Sequence, residues 1–190
     1  MIKVGITAFQ GDVEEHVAAV EKAMEIMGTK GRAVIIREKM EDVDAIIIPG
    51  GESTAISSLM IKMGIFDEVK KIADNIPIMG TCAGCVLLAK EIGDDKVVPL
   101  ELMSMKVTRN AFGRQNESFQ CLLDIEGLRE PFPAVFIRAP LIERVWDGCT
   151  PLARMDEGIV MAKEKNKLAL AFHPELTDDT RIHQYFLEML

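Results

Sequence analysis

With 190 residues, 48% apolar and 27% charged, the chain has the make-up of one globular domain, residues 1–190, large enough to bury a full core. A formal net charge of −8 argues against a nucleic-acid partner, which would want a basic face. No apolar run approaches the roughly 18 residues of a membrane span. Met1 to Ile6 runs straight into a strand pattern, and the four cysteines do not read as a disulfide framework, so a cytoplasmic protein with reduced thiols is expected.

Lys3 to Phe9 reads as a first strand, ended by Gln10-Gly11. Asp12-Val13-Glu14-Glu15 has the spacing of a capping box. Val13, Val17, Val20, Met24 and Met27 then form one helical stripe, which Gly28 closes. Ala33–Ile36 and Ala45–Ile48 follow as strands, the second apolar on both faces, as a buried parallel strand should be. After Pro49-Gly50-Gly51-Glu52-Ser53 come helix-like stretches over 54–63 and 66–74, a short strand Ile76–Met79, and a helix-like run Cys85–Ile92. This alternation predicts an α/β fold, a mostly parallel sheet with helices on both faces. From Met105 on, strand patterns dominate at 105–108, 119–123, 134–137, 158–162 and 168–172. Some should extend the sheet and some form a hairpin layer beside it. A last helix carries Ile182, Tyr185, Phe186, Met189 and Leu190.

The chain is organised around Gly80-Thr81-Cys82-Ala83-Gly84, between the short strand and the helix-like run. Small-x-nucleophile-x-small at such a turn pushes one side chain clear of the sheet. At a helix start the free N–H groups and peptide dipoles favour thiolate. A cysteine nucleophile needs a base, and there are three histidines to search. His16 and His183 lie off their helices' apolar stripes and read as solvated surface residues. His173 follows a buried-type strand and is held by Pro174, which places it at a strand's carboxyl end, as Cys82 is. Glu175, two residues on, can fix the ring's tautomer. The oxyanion site should be backbone N–H groups, here those of Gly51 and Ala83. A phosphate-cradling turn at 49–53 ranks lower, lacking the P-loop lysine and the dinucleotide glycine pattern. No cysteine or histidine spacing looks like a zinc site, so no metal is expected.

The elbow together with His173-Pro174-Glu175 resembles the class I (triad) glutamine amidotransferases. Phe9 to His16, Pro49 to Thr54, Arg109-Asn110-Ala111-Phe112-Gly113-Arg114-Gln115 with Ser118-Phe119, Phe136 to Pro140, and Phe172 to Thr177 narrow the resemblance, in the same order and essentially end to end, to the glutaminase subunits of pyridoxal 5′-phosphate synthase. The resemblance implies a three-layer, flavodoxin-like fold with an antiparallel extension. It implies hydrolysis of L-glutamine to glutamate and ammonia, with no cofactor. It implies a (β/α)8-barrel synthase subunit as partner, which takes the ammonia through an internal tunnel and combines it with ribose 5-phosphate and glyceraldehyde 3-phosphate. The family's nucleophile, base and acid fall on Cys82, His173 and Glu175, and its glutamine contacts on Gly51, Glu52, Ser53, Arg109, Ile137 and Arg138. Gln10 falls where the family meets the synthase and couples docking to the oxyanion loop.

Three alternatives stay open, one of them a non-catalytic binding subunit, against which the intact Cys82, His173 and Glu175 set argues. The chain could serve another synthase, although the Gly113-Arg114-Gln115 stretch argues against this. Cys85, where known relatives carry Met, Leu or Ile, creates Cys82-x-x-Cys85, also the layout of a redox pair; the simpler expectation is a small buried hydrophobe. A Gly50–Gly51 peptide that reorients on docking would spare glutamine when no acceptor is present.

Overall fold

The computed structural model describes residues 1–109, 111 and 118–190. Asn110, Phe112, Gly113, Arg114 and Gln115 of the narrowing motif therefore lie outside the described residues.

Strands β1 (Ile2–Thr7), β2 (Gly31–Ile36), β3 (Ala45–Ile48) and β4 (Ile78–Thr81) are followed by β5 (Ala89–Ile92), β6 (Met103–Thr108), β7 (Ser118–Leu123), β8 (Phe132–Ile137), β9 (Leu141–Val145), β10 (Thr150–Met155), β11 (Gly158–Glu164) and β12 (Lys167–Leu170). The main sheet runs β2-β1-β3-β4-β12-β11-β9-β6-β5, with β10 paired to β11. From β2 to β12 every neighbour is parallel; β11 and β9 then pair antiparallel. Strands β7 and β8 form a separate antiparallel pair. Both expectations for the second half are met, an extended sheet and a hairpin layer.

Successive residues of a strand face opposite ways, and the central strands are apolar on both sides because each side has its own core. Ile46 and Ile48 face α2 (Ser53–Lys62), α3 (Ile65–Ile72) and α4 (Ala83–Leu88). Ala45 and Ile47 face α1 (Val13–Ile26), α5 (Arg181–Leu187) and the β7–β8 pair. Stacked Phe119 and Phe136, 4.7 Å between centroids, fasten that pair over Phe172.

Four expectations are corrected. The helix-like run Cys85–Ile92 is helical only to Leu88 and continues as β5. The Leu87 and Leu88 carbonyls accept from the Leu100 and Leu102 amides, and Ala89 pairs with Met103, so a ladder overrides the helical pattern. The capping box does not form: Asp12 makes no side-chain cap, and its carboxylate turns toward His173. His16 and His183 are fully buried rather than solvated. Helix α1 packs against α5 as well as the sheet, so a position off the apolar stripe is covered by the second helix. Strands β9 and β10 carry no clear pattern: Glu143-Arg144 interrupts one, and Pro151 marks the other as an edge strand with register shifts.

Candidate active site

The site lies where parallel strands end together. Register pairs Ile48 with Gly80 and Leu170 with Thr81, so the segments after β3, β4 and β12 emerge side by side. The Cys82 amide donates to the Leu170 carbonyl and the His173 amide to the Val135 carbonyl, tying elbow and histidine loop to the frame. Cys82 has φ +49° and ψ −104°, a strained conformation for a residue with a side chain, of the kind held at functional sites at roughly 1–3 kcal/mol each. Close packing enforces the bend. A Cβ on Gly84 would stand 2.0 Å from the Ile48 carbonyl oxygen, so only glycine lets α4 start against β3.

His173 is buried and sits beside Cys82 on one side. On the other, its Nδ1 lies 2.7 Å from Glu175 Oε1. Burial opposes charge on the ring, but the hydrogen bonds and charges of Cys82 and Glu175 outweigh it and push His173 up to about 10. Burial raises Glu175 as well, partly offset by the bond from His173. Glu175 sits on a 3₁₀ turn, Pro174–Leu176, which directs its carboxylate back at the ring two residues before it. The arrangement can hold an imidazolium beside a sulfur, orient it, and deliver its proton.

Gly50 is the wall behind this pair: a Cβ there would meet His173 Cε1 at 2.6 Å and Cys82 Cβ at 3.4 Å. Gly51 has φ +121°, which side chains rarely adopt. Gln10 reaches this loop from β1, its Oε1 accepting from the Glu52 amide at 2.9 Å. Ser53 is buried at the start of α2, and Glu52 accepts from the Thr54 hydroxyl at 2.7 Å. Ala83 opens α4, so its N–H is a first-turn donor that a helix leaves without an intrahelical partner.

Across the site, the Ile137 carbonyl faces Cys82 Sγ at 3.8 Å. Arg138 follows with φ +43°, a second strained residue at the same corner. The Ala111 amide donates to the Ala139 carbonyl, which draws the chain after β6 toward that corner. Arg109, on the same stretch, pairs with Asp94. Cys82, His173, Glu175, Gly51, Glu52, Gln10 and Ile137 are thus brought together, whereas Arg109 is engaged by an acid outside the group.

Cys85 is fully buried, and burial pushes its thiol far up, followed by the charges of Cys82 and Cys149, so it is a neutral core residue. Asp12, His173 and Glu175 place ligand atoms within 4.8 Å of one another. Glu175 and His173 are already committed to each other, and a ring that holds its proton is a poor metal ligand. Among the described residues no helix is long and apolar enough to cross a membrane.

Sequence reasoning missed Asp12, 3.6 Å from His173 Nδ1, and His16, whose Nε2 lies 3.3 Å from Glu175 Oε2. The signal was available: Asp12 and His16 are four apart, hence on one helix face, at the start of a helix that leaves the same sheet edge.

A relative from Thermococcus kodakarensis, named pyridoxal 5′-phosphate synthase subunit PdxT, is 48% identical, with 98% of each chain covered. A relative of the same name from Archaeoglobus fulgidus is 50% identical, covering 99% of this chain and 98% of its own. A solved structure described as a glutamine amidotransferase superposes with a TM-score of 0.87 at 44% identity, covering 98% of this chain and 97% of that one. PurLQS from Thermotoga maritima, 18% identical with a TM-score of 0.64, shares the fold alone. With residues 6–190 matching it, the chain belongs to the SNO glutamine amidotransferase family.

Proposed function

We propose that residues 1–190 act as one cytoplasmic glutaminase domain, the subunit of a pyridoxal 5′-phosphate synthase that hydrolyses L-glutamine and passes ammonia to a (β/α)8-barrel synthase subunit. The observation that carries this reading is Cys82, His173 and Glu175 brought side by side at the carboxyl ends of parallel strands, with His173 Nδ1 2.7 Å from Glu175 Oε1.

In this mechanism Cys82 Sγ, as thiolate, attacks the side-chain amide carbon of glutamine. The N–H groups of Gly51 and Ala83 hold the negative oxygen that develops. His173 gives the proton on Nε2 to the departing nitrogen as the C–N bond breaks, leaving a thioester and ammonia. The neutral ring then takes a proton from water, which attacks the thioester; the C–S bond breaks and releases glutamate and thiolate. Glu175 holds Nδ1–H throughout and stabilises the imidazolium, as the acid of a triad does. Glu52, Ser53 and the Ile137–Arg138 turn bind the amino-acid end of glutamine, with Arg109 offering a guanidinium to its carboxylate. Arg109 reaches that role by exchanging Asp94 for the substrate.

Gln10 sits where docking can be felt. Its bond to the Glu52 amide fixes one orientation of the loop after Gly50, and a partner that moves Gln10 reorients the Gly51 N–H. The test is ammonia release from glutamine by the chain alone and with the synthase subunit, beside Cys82→Ala. Activity that rises on mixing and vanishes in the variant is the expected result. Equal activity with and without the synthase refutes the coupling, and activity retained by Cys82→Ala refutes the nucleophile.

A further inference from the structure

The polar contacts do not stop at Glu175. Behind it, on the side away from Cys82, two buried histidines continue the line. His16 Nε2, from α1, lies 3.3 Å from Glu175 Oε2 and 3.2 Å from Thr81 Oγ1, one residue before the elbow cysteine. His16 Nδ1 lies 3.2 Å from His183 Nε2 on α5, the rings meeting edge to face at 62°. Both rings are 0% exposed. Three other elements thus converge on one imidazole, and the mechanism above gives that imidazole no task.

The tautomers follow from the partners. Glu175 must be a carboxylate to hold His173 as imidazolium, and a carboxylate only accepts. Its Oε1 takes the proton on His173 Nδ1, so Oε2 needs a separate donor. His16 Nε2–H is hydrogen-bonded to Thr81 Oγ1 and faces Oε2 at 3.3 Å, the nitrogen nearest a buried oxygen that has no hydrogen-bond partner among the described residues. His16 Nδ1 is then an acceptor and takes the proton on His183 Nε2. His183 Nδ1 is left as a bare lone pair, and it is the ring nitrogen with no hydrogen-bond partner among the described residues. An unpaired acceptor is the cheaper end for such a line than an unpaired N–H. Every donor points toward the end of the line at Thr81 and Glu175.

We infer that His16 is a positioning residue of the glutaminase site, its Nε2–H set 3.3 Å from the otherwise unpartnered Glu175 Oε2 so that the carboxylate stays ionised toward His173 Nδ1, while His183 fixes the His16 tautomer. The charged and titratable groups that face this line are Glu175 and His173 from the β12 loop, His183 from α5, and Asp12 from α1 itself, 3.6 Å from His173 Nδ1. Burial lowers His16 well below its ordinary value, with His183 and His173 adding to the effect, and burial takes His183 down to about 4. Both rings are therefore neutral at working pH, as the tautomer assignment requires. The line supplies orientation and the positive end of an N–H dipole and does not carry a proton out of the site.

This inference rests on the triad reading, and the experiment separates the two. Ammonia release is measured from pH 6 to 10.5, on the complex with the synthase subunit, for Cys82→Ala, His16→Leu, His16→Gln and His183→Leu, each checked for native circular dichroism. Cys82→Ala should abolish activity; if it does not, the triad reading fails whatever His16 does. His16→Leu should lower kcat by about 10- to 100-fold, the usual effect of losing the polar neighbour that orients a reactive group. KM for glutamine should hold within about twofold, since binding is untouched. The basic limb of the kcat profile should move to lower pH, because a less firmly ionised Glu175 supports the His173 imidazolium less well. His16→Gln, which can keep an N–H near the Nε2 position, should restore most of kcat and the limb. His183→Leu should act in the same direction with smaller effect, and it carries the test if His16→Leu does not fold. An unmoved basic limb in His16→Leu and His183→Leu, or a loss that Gln does not rescue, would show that the histidines only fill space and overturns the inference.

Discussion

Two sides of one carboxylate set the same side chain to opposite tasks. On the elbow side, His173 is pushed up to about 10 because the hydrogen bonds and charges of Cys82 and Glu175 outweigh its burial. On the α1–α5 side, His16 is lowered by burial, with neighbouring histidines adding to the effect. Burial by itself neutralises an imidazole; burial beside Cys82 and the Glu175 carboxylate keeps it charged. The same contrast holds for Cys82 and Cys85, one at a strained turn against His173, the other packed in the core.

The variant that breaks the comparison most completely is Cys82→Ala, expected to reduce ammonia release by about 10⁴-fold or more, with the fold kept. Glu175→Gln should follow, at about 10²–10⁴-fold in kcat, because the amide no longer stabilises the imidazolium. Gly50→Ala would set a methyl 2.6 Å from His173 Cε1 and shift the ring. A displacement of that size is expected to lower kcat by about 10²-fold, with thermal unfolding little changed.

The charged side also leaves a signature in stability. His173 is higher in the folded chain, about 10, than the ordinary 6.5. Its contribution is fully present below about pH 6.5 and is lost as pH rises through about 10. Denaturant titrations from pH 6 to 10.5 should show that decline, and Glu175→Gln should flatten it. Cys85→Ala sharpens the comparison from the inert side, with kcat within about twofold and about 1 kcal/mol lost in urea unfolding. Loss of activity there would revive the Cys82-x-x-Cys85 redox reading.

Much of the site was legible in the chain because it uses local devices. Gly80 to Gly84 between an apolar run and a helix announces a sharp turn, and Pro174 after a buried strand announces a held side chain. The glycines at 50 and 51 mark a backbone that must come close to something, which proves to be His173, Cys82 and Gln10. These constraints act within a few residues. The apolar periods of β1, β3, β4 and β12 likewise suffice for a parallel sheet, since a strand buried on both faces leaves no polar alternation.

Tertiary structure decided what depends on a second element arriving. Helix α4 stops at Leu88 because the amides at 100 and 102 claim its last carbonyls. Asp12 gives up capping α1 for a place beside His173, because β12 ends there. His16 and His183 look solvated on either helix alone and are buried only when α1 and α5 pack together. A single helix shows which of its faces is apolar. It does not show which polar residue a neighbour will cover, because that follows from the crossing of two helices far apart in sequence.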